Sequence, residues 1–300
     1  DMDMEGYAYG SELEVLVKEG KVPIALIDEA VRRILRMKYC LGLFEHPYID
    51  ETLAGKIILS EQNIALARQM ARESIVLLKN SKNVLPLDKN LKTLAVIGPL
   101  ADDQDALLGT WSCEGQAGDV ISVLKGVQAA VDKNTKVVYR KGCEIDSDKS
   151  SGIEEAVAAA RGADAVILVL GESREMSGEA ASRSNLDLPG MQNELARSVI
   201  AAGKPTVVVL IDGRPLMIAD LHKNASAILE CWAPGIQGGR AIADVIFGDY
   251  NPSGKLPVTF PLVVGQVPIY YNHKNTGRPG DANIKFTSKY RDLSLEPLYP

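Results

Sequence analysis

The sequence predicts an α/β fold: a doubly wound, mostly parallel sheet flanked by helices. Three observations predict it. From Thr93 onward, short β-branched runs alternate with stretches of helical period, the pattern of repeated β–α units. The central runs, 165–170 and 206–211, are apolar without alternation, as strands covered on both faces are. With 300 residues, 46% hydrophobic and 24% charged, the chain has the size and composition for one large or two ordinary soluble domains, each with a core.

Residues 1–50 read apart from the rest. Ser11-Glu-Leu-Glu-Val-Leu-Val-Lys18 has helical spacing, and Gly20-Lys-Val-Pro23 stops that helix and starts another. From Ile27 to Lys38 the pattern is strongly amphipathic, with Ile27, Val31, Ile34 and Leu35 tracing the apolar side. Gly42 and Pro47 close the unit. Residues 51–59 read as a linker, and 60–300 as the α/β domain. Ser60 is the expected N-cap of a second long helix running to Lys79 and then into Val84-Leu-Pro-Leu87. Strands follow at 94–97, 136–139, 165–170, 206–211 and 227–231, and helices near 123–131, 153–161, 191–202 and 238–247. The tail after Asn251 is rich in Pro, Gly and Tyr and is expected to run as loops over the sheet edge.

Composition and motifs exclude several functions. A net charge of -6 argues against nucleic acid as a partner, and no apolar run approaches the ~20 residues of a membrane helix. The four cysteines (Cys40, Cys113, Cys143, Cys231) are scattered, with no Cys-x-x-Cys pair, so no metal site is expected. Buried free thiols are the simplest reading of them, with a disulfide left open. Gly98-Pro-Leu-Ala-Asp-Asp-Gln lacks the second and third glycines of a dinucleotide fingerprint. Gly248-Asp-Tyr-Asn-Pro-Ser-Gly-Lys255 misses P-loop spacing by one residue and has Leu256 where the magnesium-binding hydroxyl belongs. There is no Gly-x-Ser-x-Gly elbow. No cofactor is implied.

The most informative stretch is Gly171-Glu-Ser-Arg-Glu-Met-Ser-Gly-Glu-Ala-Ala-Ser-Arg-Ser-Asn-Leu-Asp-Leu-Pro-Gly190. It follows a buried strand and precedes an amphipathic helix, so three glutamates and two arginines ride on a loop at a strand's carboxyl end. Open α/β sheets bind ligands there.

Several segments together resemble the β-glucosidase branch of glycoside hydrolase family 3. They are Ile27-Asp-Glu-Ala-Val-Arg-Arg-Ile-Leu35, Glu73-Ser-Ile-Val-Leu-Leu-Lys-Asn80, Val96-Ile-Gly-Pro-Leu-Ala101, Pro234-Gly-Ile-Gln-Gly-Gly239, Phe247-Gly-Asp-Tyr-Asn-Pro-Ser-Gly-Lys-Leu-Pro257 and Asn275-Thr-Gly-Arg-Pro279. The resemblance runs in order along nearly the whole chain and is closest to periplasmic bacterial members. It implies a TIM-like barrel followed by an α/β sandwich, with 1–50 as the end of the barrel. It also implies a periplasmic or extracellular location and a retaining, exo-acting enzyme that hydrolyses terminal β-D-glucosyl residues. Two carboxyl groups about 5–5.5 Å apart do this chemistry, one as nucleophile and one as acid.

The family's acid/base glutamate lies in a segment similar to Met176-Ser-Gly-Glu-Ala-Ala-Ser182, which points to Glu179, with Glu172 and Glu175 as local competitors. Arg183 and Trp111 are the candidate substrate contacts, the first through a sugar hydroxyl or a carboxylate, the second by stacking. The family's nucleophile sits in a Ser-Asp-Trp-type motif on the barrel, and no Asp-Trp occurs in this sequence. The implied partners are therefore a β-linked oligosaccharide or aryl glycoside and a barrel that supplies the aspartate. β-Xylosidase-like specificity and a non-catalytic sugar-binding fragment are the alternatives.

Overall fold

The computed structural model describes residues 1–275 and 277–300; Thr276, inside the Asn275–Pro279 segment used above, lies outside the described residues. The chain forms two compact units, Asp1–Ser60 and Glu61–Pro300.

The first unit is helical: α1 (Ala8–Ser11), α2 (Leu13–Lys18), α3 (Ile24–Cys40) and α4 (Ala54–Ile57). Pro23 supplies the extended residue ahead of α3. The helix closes with Schellman hydrogen bonds, Gly42 N–H to the Tyr39 carbonyl and Leu43 N–H to the Lys38 carbonyl, both 3.0 Å. Ile27, Val31 and Ile34 of α3 line an apolar hollow of about 490 Å³ with Tyr9, Leu13 and Val22. In segment 51–59, Asp50 caps a 3₁₀ turn (Glu51–Leu53) by accepting from the Thr52 N–H at 2.9 Å.

The second unit is the predicted α/β domain. It begins with α5 (Glu61–Ser74) and β1 (Val76–Asn80), then β2 (Thr93–Ile97), α6 (Asp105–Leu108), α7 (Val123–Ala130) and β3 (Lys136–Arg140). There follow α8 (Ile153–Arg161), β4 (Ala165–Gly171), α9 (Gln192–Ile200), β5 (Thr206–Ile211), α10 (Ala219–Asn224), β6 (Ala227–Glu230) and α11 (Gly238–Ile246). The strand order is β1-β6-β5-β4-β2-β3. All neighbours run parallel except β1, which pairs antiparallel with β6 in the register Val76↔Glu230.

Every residue of β4 and β5 is buried, which is why their sequences do not alternate. Ile167, Val169, Val207 and Val209 face one core with Val127, Ile242 and Ile246. Leu168, Leu170, Val208 and Leu210 face the other with Ala156, Leu195 and Val199. Each fully buried Leu, Ile or Val contributes about 1.5–3 kcal/mol, so these two strands anchor the domain.

Two expectations need correction. The helix read from Ser60 to Lys79 stops at Ser74, and Val76–Asn80 is a strand. Ile75-Val-Leu-Leu78 continues the helical period, but pairing with β6 decides the matter, and the Ser74 hydroxyl turns back on the Ala71 carbonyl at 2.9 Å. The short helices α4, α6 and α10 were not foreseen. The tail after Asn251 has one 3₁₀ turn (Val264–Gln266) and one bridge, Phe260↔Tyr299, among the described residues.

Candidate active site at the carboxyl edge of the sheet

After β2 the chain adds β3 on one side and then β4 on the other, so the sheet's switch point lies between β2 and β4. Ligand crevices form outside the strand ends at such points. A cleft of about 580 Å³ opens there. Its walls come from the loops after β2 (within 106–111), β4 (within 172–178), β5 (212–213) and β6 (232–233).

The β4 loop leaves the sheet under tight control. The Gly171 N–H donates to Gln192 Oε1 at 2.9 Å, while its carbonyl accepts from Gln192 Nε2 at 2.7 Å. Glu172 follows, only 2% exposed. Its carboxylate lies between two guanidinium groups, 2.5 Å from Arg183 Nη1 and 3.0–3.1 Å from Arg214 Nε. Arg183 also donates to the Asp187 carbonyl at 3.3 Å.

Beyond the 3₁₀ turn Arg174–Met176, the Ala181 N–H returns to the Gly178 carbonyl at 3.3 Å, closing a β-turn. Glu179 and Ala180 are its central residues, and Ala180 sits at φ +57°, a left-handed conformation that costs a non-glycine residue of order 1 kcal/mol or more. Glu179 is exposed at the tip. Glu175 is exposed on the 3₁₀ turn. Trp111 is 71% exposed and lines the cleft.

Three carboxyl groups line up at the ends of adjacent strands: Glu172 after β4, Asp212 after β5 and Glu230 closing β6. Burial, then the Glu172 charge, pushes the Asp212 carboxyl well above the ordinary range. Burial, then Asp212, does the same to Glu230, although Glu230 Oε1 accepts the Trp232 N–H at 3.0 Å. No well-formed hydrogen bond reaches either Asp212 oxygen among the described residues; the Arg214 backbone N–H only partly offsets burial. Both groups are shifted toward their neutral forms because a buried, uncompensated charge is costly.

In the unfolded chain these acids titrate near 4, whereas in the folded chain they keep their protons to higher pH. The folded state binds more protons, so their contribution falls as pH rises from about 4 through the folded pKa. Asp212→Asn, permanently neutral, is expected to be more stable than the parent at pH 8 and to lose that advantage at pH 4. Thermal unfolding across this range checks it, with about 2–4 °C of Tm per kcal/mol released. Equal shifts at both pH values would mean Asp212 is not held neutral.

Burial, then the neighbouring Glu230 and Asp212, also pushes the Cys231 thiol up. None of the four cysteines is paired, and burial pushes the Cys143 thiol up to about 11, where it is inert. Sequence reasoning missed Arg214, Asp212 and Glu230. One signal was present: a glutamate inside the buried run Ala227-Ile-Leu-Glu-Cys-Trp232 needs an explanation.

A parallel sheet carrying a cleft, a row of carboxyl groups and an exposed glutamate turn at its switch point defines an α/β domain with an acidic site. The chain belongs to glycoside hydrolase family 3: residues 75–299 match the model described as Glycosyl hydrolase family 3 C-terminal domain. Over its whole length it is 44% identical to a periplasmic β-glucosidase of Salmonella typhimurium, covering 43% of that protein. Over 91% of its length it is 43% identical to a β-xylosidase of Formosa agariphila, covering 38% of that one. The β-glucosidase of Listeria innocua, solved in complex with gluconolactone, matches with a TM-score of 0.90 at 40% identity, covering all of this chain and 41% of that one. The chain thus spans less than half the length of these relatives.

Proposed function

We propose that this chain is the acid/base-bearing portion of a retaining, exo-acting β-glucosidase that works in the periplasm or outside the cell. The observation that carries the reading is the Glu179 turn: an exposed carboxyl on a braced loop at the carboxyl edge of the sheet. In this reading 1–50 is the end of a barrel and 51–59 a linker, and an aspartate elsewhere on the barrel attacks the anomeric carbon. Glu179 protonates the departing glycosidic oxygen, and a covalent glycosyl–enzyme forms. Glu179, now a carboxylate, takes a proton from the incoming water, which releases the sugar with its β configuration retained. Trp111 stacks on a sugar ring, Arg183, which also holds Glu172, offers a further donor to the substrate, and the reaction requires no cofactor.

β-Xylosidase specificity is the second reading, favoured by the 43% identity to the Formosa enzyme. The two sugars differ by a hydroxymethyl group; its carbon alone is worth roughly 10–200-fold in a pocket, and a site that hydrogen-bonds its hydroxyl discriminates further. The test is the full-length protein assayed on matched aryl β-glucosides and β-xylosides, with the first-formed anomer followed by NMR. A β product and a kcat/KM at least about 10-fold higher for the glucoside are expected. An α product would overturn the retaining mechanism, and a preference for the xyloside would move the assignment to the second reading.

A further inference from the structure

We propose that Arg214 is the positioning residue for Glu179: it clamps both arms of the acid/base loop, so that proton delivery depends on its guanidinium fork. The proposal rests on the reading of Glu179 given above.

Arg214 stands on the loop after β5, yet its side chain is spent on the loop after β4. Its Nη2 donates to the Met176 carbonyl and, at 2.8 Å, to the Ala181 carbonyl. These carbonyls lie on either side of Glu179, and among the described residues no backbone N–H takes either of them. Its Nε is fixed on the Glu172 carboxylate, which Arg183 holds from the far arm. From the loop after β2, the Thr110 hydroxyl lies against the carbonyls of Arg174, at 2.6 Å, and Ser177. Gly178 packs so closely there that a Cβ would stand 2.6 Å from the Thr110 methyl.

The segment around Glu179 is thus braced by two side chains from other loops instead of by secondary structure. A planar fork of five donors can serve a carboxylate and two carbonyls at once, whereas a lysine ammonium cannot hold the same three in that geometry. Losing the fork leaves Glu179 chemically intact and lets its loop drift. Displacements of about 1 Å can lower rates by 10²-fold where alignment matters.

The test is Arg214→Lys in the full-length enzyme, beside Glu179→Gln, on aryl β-glucosides of graded leaving-group pKa. Proton donation matters most for poor leaving groups. The expected result for R214K, read in kcat/KM because that reports the glycosylation step, is a loss of about 10–100-fold on alkyl or weakly activated glucosides and under about 3-fold on dinitrophenyl glucoside. That is a steeper leaving-group dependence than the parent's. A merely structural role would lower every substrate by one factor and leave the slope unchanged, and that outcome would overturn the proposal. Thr110→Val, which removes the bracing hydroxyl, serves as a second variant with the same selective pattern expected. If E179Q itself shows no leaving-group dependence, the acid assignment fails and takes the clamp with it. If E179Q is selective and both R214K and T110V are not, the clamp alone fails.

Discussion

Glu179→Gln in the full-length protein is expected to lower turnover of poor-leaving-group β-glucosides by about 10²–10⁴-fold, the range associated with general acid–base catalysis. Activated aryl glucosides suffer less, because their phenolates leave without a proton and the first step survives. Water attack on the glycosyl–enzyme then lacks its base, so azide, which needs none, is expected to restore turnover and yield the β-glucosyl azide. Equal losses on both substrate types, with no azide effect, would remove Glu179 from the role. Its two local rivals sit in different surroundings. Glu172 is 2% exposed at the base of the cleft, with its carboxylate ion-paired to two arginines, an arrangement that favours the ionised form over a proton donor. Glu175 is exposed on the 3₁₀ turn, away from the Gly178–Ala181 turn. Glu175→Gln is the natural control, with a change of less than about 3-fold, as for a surface substitution worth under ~0.5 kcal/mol.

The parallel core was legible because burial on both faces leaves an unmistakable record: Ala165-Val-Ile-Leu-Val-Leu170 and Thr206-Val-Val-Val-Leu-Ile211 have no polar face to show. The edge strand β1 was not, because Ile75-Val-Leu-Leu78 satisfies the helical period of α5 equally well and its partner β6 lies far along the chain. Local pattern cannot weigh a long-range pairing. The site divides in the same way. The Glu179 proposal rests on resemblance, since nothing in its spacing separates it from Glu172 or Glu175. The Glu172–Arg214 contact joins residues 42 positions apart across a helix and a strand, and neither residue carries a local mark of the other. What the sequence did offer was placement. A charged loop at a strand's carboxyl end and an Asp-Gly-Arg-Pro run after the next strand were bound to meet once those strands became neighbours.

The largest loss of stability is expected from Gly171→Ala, which also reaches the site. Gly171 ends β4 at φ +142°, and a Cβ added there would lie 1.8 Å from the Ile211 carbonyl oxygen of β5. That oxygen cannot retreat, because it accepts the Glu172 N–H at 2.9 Å. Nor can the Gly171 peptide rotate away, since Gln192 grips both its N–H and its carbonyl. Overpacking costs about 1–3 kcal/mol and a disfavoured backbone conformation about 1–3 more, so a total of about 2–6 kcal/mol is expected. Set against ~5–15 kcal/mol for a whole domain, this is a drop in Tm of roughly 5–20 °C. Gly203→Ala separates the two contributions: φ there is +76°, yet nothing lies within 4 Å of the added carbon. It is expected to show only the conformational part, about 1–3 kcal/mol. Equal losses in the two variants would mean that the contact with β5 relaxes freely, and that the β4–β5 edge is softer than its hydrogen bonds imply. A larger loss at Gly171, with activity in the surviving folded fraction falling as well, is the outcome expected if this strand end is what holds Glu172, and through it Arg214 and the Glu179 loop, in register.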